Sequence, residues 1–368
     1  MSSYREDFRD YFRFHRGLIP GILVCIIVAL VSYLLTRGTL WEGGFRILPA
    51  ELFTDNPVFY FLSKIGPIVL ALIICIFINV RKFEAGGSYA GKYILRIAII
   101  LMGARVTYDV LMTGSLVGLI IILCVLAGVL IVAMLIGKGF KFPWDAAVLT
   151  GTGNGICGVS ATLSVAPVIN ADKKHVDAVV GVISLLGIVG VFVIPAIASF
   201  LSMTPTQAEV FIGGTLHEIG NVIPAADLYY SITGSDVGAL ALAYKMIRVA
   251  MLVVVATVFG WMYCRRQKKQ VNGSCPTEKA KIQGFLILFV IMAVLMSLVI
   301  YFFYDPGKAI QALITNISVT ILTIAMAGVG LSMNLKDTLS TGKKLLPFGI
   351  AVWLFQIVAM CILIMLFV

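Results

Sequence analysis

The sequence predicts an all-α, polytopic membrane protein, and three observations support that class. The 368 residues are 60% hydrophobic and only 12% charged, whereas soluble domains carry about 25% charged residues. The apolar residues form long runs, and a run of about 20 residues crosses a hydrocarbon core of about 30 Å as a helix. These runs are too long and too uniformly apolar for barrel strands, so their backbone groups should be paired within helices.

Eleven apolar runs predict about 11 transmembrane helices. The first run lacks the small-residue cleavage site of a secretory signal peptide, so we expect a retained helix. The one substantial polar loop covers residues 264–283 and is basic. The predicted helices cover residues 18–36, 58–80, 93–112, 115–136, 143–166, 176–200, 208–228, 237–263, 284–303, 309–331 and 345–368.

Lysine and arginine are distributed unevenly among the predicted loops. If the N-terminus is cytoplasmic, 18 of the 28 basic residues lie in cytoplasmic segments and five in external loops. Because cytoplasmic loops carry an excess of basic residues, we expect a multi-pass protein of the bacterial inner membrane with an N-terminus in the cytoplasm and a periplasmic or external C-terminus. The same distribution accounts for the net charge of +10 without a nucleic-acid partner.

The remaining five basic residues lie inside predicted helices. A cation near the centre of a transmembrane helix costs about 2.5–3.5 kcal/mol on insertion scales, so it usually faces a cavity or a partner. Three of the five lie nearer helix ends, from which a long side chain can reach the headgroups. The other two lie deeper, one turn apart, and can face the same side. In chain order the five are Lys64, Arg96, Arg105, Lys245 and Arg248.

Two pairs of segments match each other in the same order. Lys64-Ile65-Gly66 matches Glu218-Ile219-Gly220 at an offset of 154, and residues 95–100 match residues 247–252 at an offset of 152. Extending the match pairs the second to sixth predicted helices with the seventh to eleventh. Five is an odd number of crossings, so the second unit would be inverted, as in many secondary transporters. Chance similarity between apolar helices is the alternative.

The match defines three predicted segments of the chain. The first, residues 1–57, contains an N-terminal segment and one extra helix. Residues 58–200 form the first five-helix repeat, and residues 207–368 form the second, which includes the basic loop.

The fourth helix of each repeat is expected to be interrupted. Residues 151–160 contain four glycines among polar residues, and each interior glycine costs a helix about 1 kcal/mol relative to alanine. A broken helix in a bilayer lines a cavity, and the half-helix that begins near residue 158 would point free amides at an anion. Close packing through small residues is the alternative. With the deep cations, the candidate substrate-binding residues are Asn154, Gly155, Cys157, Gly158, Ser160, Lys245, Arg248, Gly328, Gly330 and Ser332.

A polar cluster lies within the seventh predicted helix. His217-Glu218 would need a histidine at position 221 to bind zinc as HExxH, and Asn221 stands there, so we expect no metal site. Glu218 could carry a coupling proton, and a histidine titrates near neutral pH; a salt bridge from Glu218 to a deep cation is the alternative. Because acids are few, the excess of cations should attract an anion. The candidates for coupling or gating are His217, Glu218, Asn221, Arg96 and Arg105.

Three short motifs carry a family resemblance. They are Cys157-Gly158-Val159-Ser160-Ala161, Gly214-Thr215-Leu216-His217-Glu218 and Ala243-Tyr244-Lys245-Met246-Ile247-Arg248. In order and spacing they resemble the YeiH-type membrane proteins, a family named as sulfate exporters, over about residues 60–368. The resemblance implies export of sulfate, sulfite or a sulfonate, and a fold similar to sodium/proton antiporters and bile-acid transporters. It also implies glutamine-valine after the His-acid pair, where this chain has Gly220-Asn221-Val222.

We therefore expect a secondary transporter, not an enzyme, that moves a small inorganic or organic oxyanion. Export by alternating access of one bundle against another is the expected mechanism, with proton or sodium coupling left open. A cation/proton antiporter using Glu218 is the alternative, followed by an anion channel or an intramembrane enzyme. The expected partners are the anionic substrate and the lipid bilayer, with no cofactor, and a homodimer is left open.

Overall fold

The computed structural model describes residues 16–78, 81–268, 284–332 and 345–368, and the regular structure in these ranges is helical throughout. The first helices are α1 (Ile19–Arg37), α2 (Leu52–Asp55), α3 (Pro57–Ile65), α4 (Pro67–Ile78), α5 (Arg81–Tyr89), α6 (Leu95–Met102), α7 (Tyr108–Met112), α8 (Leu116–Gly139) and α9 (Trp144–Gly155). The others are α10 (Val159–Val165), α11 (Lys173–Phe200), α12 (Pro205–Thr215), α13 (Val222–Thr233), α14 (Gly238–Ala250), α15 (Leu252–Lys268), α16 (Gly284–Phe302), α17 (Tyr304–Ser332) and α18 (Leu345–Phe367).

Local sequence signals start several of these helices. At α12, the Thr204 and Gln207 side chains each accept a hydrogen bond from the other residue's amide, at 3.3 and 3.0 Å. This capping box satisfies amides that the first turn of a helix leaves unpaired. Ser115 caps α8 in the same sense, because its hydroxyl oxygen accepts from the amide of Gly118 at 3.0 Å.

Six helical stretches of the described residues are long and apolar enough to cross a membrane. They are α1, α8, α11, α14 together with α15, α17 and α18. Helices α3 and α4 meet at Gly66 with a bend of 97° and make a seventh if the pair forms one span, and Ile287–Phe302 is a shorter apolar helix. The predicted class of all-helical, polytopic membrane protein is confirmed, whereas the count of 11 and the inverted repeats remain predictions.

The chain divides into two compact units. The first consists of residues 1–112, 230–234 and 283–334, and the second of residues 113–229, 235–282 and 335–368. Helices α1–α7, α16 and α17 therefore belong to the first unit. The second contains α8–α12, α14, α15, α18 and most of α13.

The predicted interruption at residues 327–332 is wrong, because α17 continues as one helix to Ser332. Its glycines serve close packing within the first unit. A Cβ on Gly328 would lie 2.7 Å from the backbone oxygen of Gly87, and one on Gly330 would lie 2.5 Å from that of Leu72. These glycines let α17 approach α5 and α4 without leaving the helical path.

The predicted interruption at residues 151–160 is confirmed in the second unit. Helix α9 ends at Gly155, and α10 begins at Val159. Between them Gly158 has φ of +65°, in the region that residues with a Cβ rarely adopt. The helix therefore ends where a residue without a side chain allows the turn.

Two further interruptions were not predicted. Helix α12 ends at Thr215, and the chain is extended at Leu216 and Glu218 before the short turn Ile219–Asn221 leads into α13. The bend between α3 and α4 at Gly66 is the other. The matched tripeptides 64–66 and 218–220 thus both lie at breaks between helices.

Candidate functional site

The two interruptions in the second unit lie side by side. Nε2 of His217, in the α12–α13 break, is 2.9 Å from Oδ1 of Asn154 near the end of α9. Gly158 lies against Glu218, because a Cβ built on the glycine would be 2.9 Å from Glu218 Cγ. The structure therefore brings Asn154 and Gly158 together with two of the predicted coupling residues, His217 and Glu218.

Arg248, on α14, bonds to both breaks. Its Nε donates to Gly155 O at 3.0 Å, and Nη2 donates to Asn154 O and Gly155 O at 2.9 and 2.6 Å. Nη1 donates to Gly214 O and, at 3.2 Å, to Leu216 O. A guanidinium has five N–H donors, so all are used and none is left for a ligand. Arg248 thereby ties the end of α9 to the end of α12.

Lys245 lies one turn earlier on the same helix and bonds to the same two segments. Its Nζ donates to Ile156 O at 2.6 Å and also to Leu216 O. An ammonium group has three donors, so one N–H remains. Because the residue is 0% exposed, this donor belongs to a fully buried cation.

Backbone carbonyls explain how two cations are buried together. The last carbonyls of a helix lack intrahelical partners and carry partial negative charge, and here they accept from Lys245 and Arg248. Among the described residues, no carboxylate lies within 4.0 Å of either cation. The salt bridge considered for Glu218 is therefore not formed, and its side chain is partly exposed.

The hydrogen bonds of Asn154 define the tautomer of His217. Nδ2 of Asn154 donates to Thr150 O at 2.9 Å, which directs Oδ1 toward His217 Nε2. A carbonyl oxygen can only accept, so Nε2 carries a proton. In the neutral ring Nδ1 is then an acceptor, and protonation would make it a donor.

Four buried polar atoms near His217 have no hydrogen-bond partner in the described part of the chain. They are His217 Nδ1, Thr215 Oγ1, Trp353 Nε1 and Gln356 Oε1. The rings of His217 and Trp353 are 5.5 Å apart, and Nε2 of Gln356 donates to the carbonyls of Gly214 and Thr215 at 3.0 and 3.3 Å. Each unsatisfied buried group costs about 1–3 kcal/mol, so a small polar guest would be stabilised here.

Except for partly exposed Glu218, the centre of the cluster is closed to solvent in this conformation. His217 is 0% and Arg248 1% exposed. Cys157 and Asn221 are also buried, whereas Ser160, in the first turn of α10, is half-buried. A ligand that reaches these residues therefore needs a second, open conformation.

The remaining predicted candidates belong to the first unit and have contacts there. The Arg96 guanidinium lies 5.8 Å from the ring centroids of both Tyr93 and Phe285. Arg105 ends the 3-10 turn after α6, and the hydroxyl of Ser332 donates to Val329 O at 3.0 Å. With Gly328 and Gly330 packed as described above, none of the five belongs to the second unit.

Sequence reasoning missed Thr215, Trp353 and Gln356. A signal existed for Gln356, because it is the only side-chain amide in residues 345–368, and an uncharged polar group in a transmembrane helix needs a partner. The structure supplies the partner at the α12 break, through the carbonyls of Gly214 and Thr215.

The fold and the cluster define a polytopic, all-helical membrane protein with a buried polar site at two interrupted helices. The family model described as Conserved hypothetical protein 698 matches residues 20–349, and the chain belongs to this family. It is similar to UPF0324 membrane protein YdhF of Lactococcus lactis, with 27% identity over 360 residues, 96% of this chain and 99% of the relative. It is also similar to UPF0324 inner membrane protein YeiH of Escherichia coli K12, with 30% identity over 355 residues, 94% of this chain and 93% of the relative. The resemblance to YeiH-type proteins is confirmed.

Proposed function

We propose that the protein is a secondary transporter that binds a small oxyanion at the paired α9–α10 and α12–α13 breaks. One observation carries this proposal: buried Lys245 keeps a free N–H beside a group of buried polar atoms without partners. Interrupted helices at a buried polar site are a recurring feature of transporter binding sites. The resemblance to proteins named as sulfate exporters favours a sulfur oxyanion such as sulfate, sulfite or a sulfonate, with export as the direction.

The charges of the cluster favour a singly charged guest at rest. Each break joins the negative end of one helix to the positive end of the next, and these partial charges oppose each other. The formal charges that remain are those of Lys245, Arg248 and ionised Glu218, which leave one positive charge. Protonation of Glu218 would leave two, so we propose that a doubly charged anion binds together with a proton.

The hydrogen-bonding groups assign different roles to the two cations. Lys245 retains a donor and contacts the anion, whereas Arg248 has none left and holds the breaks in place. Within α10, the amide of Thr162 is the first that donates to a backbone carbonyl of the preceding turn, that of Gly158, at 3.2 Å. The amides of Val159 and Ser160, at the start of α10, are therefore available as further donors at a helix N-terminus.

A cation/proton antiporter is the second candidate. It is favoured by the Glu218 carboxylate, which has no ion-pair partner within 4.0 Å among the described residues and is partly exposed. In that case the carboxylate would exchange a proton for a cation, and the two buried cations would serve structure alone.

Reconstituted vesicles distinguish these candidates. We expect saturable uptake of radiolabelled sulfite or sulfate that falls at least about tenfold in Lys245→Gln, since a charge-assisted hydrogen bond contributes about 1.5–3 kcal/mol. The matched control is Lys174→Gln, which removes an exposed cation at the start of α11. Thermal unfolding in detergent tests whether each variant folds. Sodium-dependent proton flux without anion movement would establish the antiporter instead.

A further inference from the structure

A groove between α8 and α15 in the second unit combines apolar walls with a basic mouth. Its volume is about 1020 Å³, at the upper end of the pockets of about 300–1,000 Å³ that hold whole small ligands. The walls include Leu130 and Met134 of α8 and Val254 and Val258 of α15. The two valines are 53% and 49% exposed, so the groove opens outward from the protein surface.

Three cations and two tryptophans surround the mouth of the groove. They are Lys138, Arg265, Arg266, Trp144 and Trp261. The Arg265 guanidinium lies 4.3 Å from the ring centroid of Trp261, and that of Arg266 lies 4.9 Å from that of Trp144. Ring contacts of this kind hold a guanidinium in place, and the residues lining the groove include no acid. The mouth is thus a preformed anion site at one end of an apolar surface.

From this combination we propose that the groove binds one anionic phospholipid, with its phosphate at Arg265, Arg266 and Lys138 and its acyl chains along α8 and α15. Guanidinium groups suit phosphate because their donors match its oxygens. Basic pockets between transmembrane helices bind anionic headgroups, and tryptophans favour the headgroup level of a bilayer. The distribution of basic residues predicts that this end of α8 and α15 is cytoplasmic.

Two other occupants fit the groove less well. A free phosphate would match the cations but leave the apolar walls uncovered. A second copy of the chain, docked by a twofold axis, would place the same patch on both sides of the contact, so three cations would face three cations. A lipid satisfies both parts of the groove.

Native mass spectrometry of the full chain in detergent tests the proposal. We expect retention of phosphatidylglycerol but not of phosphatidylcholine with identical chains, and a loss of about tenfold or more in the variant K138Q/R265Q/R266Q, given the contribution of each basic residue at an anionic surface. The matched control is K173Q/K174Q/K308Q, which removes three exposed cations elsewhere and should retain the lipid. Equal retention of both lipids, or equal loss in both triple variants, would overturn the proposal.

A second variant separates the lipid from a free anion and does not depend on the triple variant folding. Val258→Trp fills the groove and keeps the cations, so it should lower phosphatidylglycerol retention several-fold. Inorganic phosphate and glycerol phosphate should not compete at equal concentration, because they lack chains. Full competition by either, or unchanged lipid retention in Val258→Trp, would show that the mouth binds only a soluble anion or that lipid binds elsewhere.

Discussion

Two glycine-rich helical segments in this protein have opposite outcomes. Residues 151–158 contain four glycines and break between α9 and α10, whereas α17 passes through Gly328 and Gly330 without a break. Both segments are buried and both lie in apolar stretches. Glycine content therefore does not decide where a buried helix ends.

The two segments differ in what their backbone groups contact. At the α9 break, Arg248 and Lys245 donate to the carbonyls of Asn154, Gly155 and Ile156. In α17 the corresponding glycines face the backbones of α4 and α5, where there is no room for a side chain. Since an unpaired backbone group in lipid costs several kcal/mol, these side-chain donors stabilise the α9 break.

The strongest test of this comparison is Arg248→Met, which leaves five carbonyl hydrogen bonds unmade. Each buried acceptor left without a partner costs about 1–3 kcal/mol, and several carbonyls lose a donor at once, so we expect the largest loss of stability of any single variant proposed for this protein. Thermal unfolding in detergent measures it. Arg248→Lys keeps the positive charge but not the planar guanidinium with its five donors, so its stability should lie between those of Arg248→Met and the parent chain.

Lys174→Met is the matched control for Arg248→Met, because it makes the same charge-removing change at a lysine whose side chain is exposed. Its melting temperature should stay close to that of the parent chain. Should Arg248→Met unfold no earlier than this control, the cations would not be what holds the break open.

The sequence predicts the α9 break because its glycines are mixed with Asn154, Thr152 and Ser160, which an ordinary packing face would not need. The α12 break escapes prediction for the opposite reason. Leu216 follows Gly213 and Gly214, which on their own resemble the packing glycines of α17, and the donors that stabilise the break come from Lys245 and Arg248, some 30 residues later. A contact between distant segments leaves no local signal.

The unpaired polar atoms of the site are also invisible in sequence. Trp353 reads as one more apolar residue of α18, and only its position beside His217 reveals an indole N–H without a partner. The class of fold, the α9 break and the buried cations are thus readable from composition, glycine spacing and charge. The site itself depends on which helices become neighbours.

A second test replaces glycines of the broken segment and of the continuous α17 by alanine. Gly158→Ala introduces a Cβ at φ +65° and 2.9 Å from Glu218 Cγ, which should cost about 1–3 kcal/mol and weaken anion uptake. Gly330→Ala meets the Leu72 backbone at 2.5 Å and should lower stability by a similar amount through overpacking, with anion affinity unchanged. Unfolding temperature and anion affinity are measured on each.

Gly155→Ala is the matched control in the broken segment. Its Cβ would meet Val129 at 3.5 Å, an ordinary contact, so stability and uptake should both remain near those of the parent chain. A loss of anion affinity in Gly330→Ala with no loss of stability would contradict the packing role assigned to α17.

The smallest expected effect on stability belongs to Trp353→Phe, which removes the unpaired indole N–H and keeps an aromatic ring beside His217. An unsatisfied buried donor costs about 1–3 kcal/mol, so its loss offsets the smaller ring and the melting temperature without ligand should change little. If the donor contacts a bound anion, however, affinity should fall about tenfold, since a hydrogen bond to a charged group contributes about 1.5–3 kcal/mol. Titration of sulfite or sulfate against intrinsic fluorescence or thermal unfolding measures both quantities on one sample. A variant that is less stable but binds the anion as tightly as the parent chain would show that the indole N–H has a structural partner and lies outside the anion site.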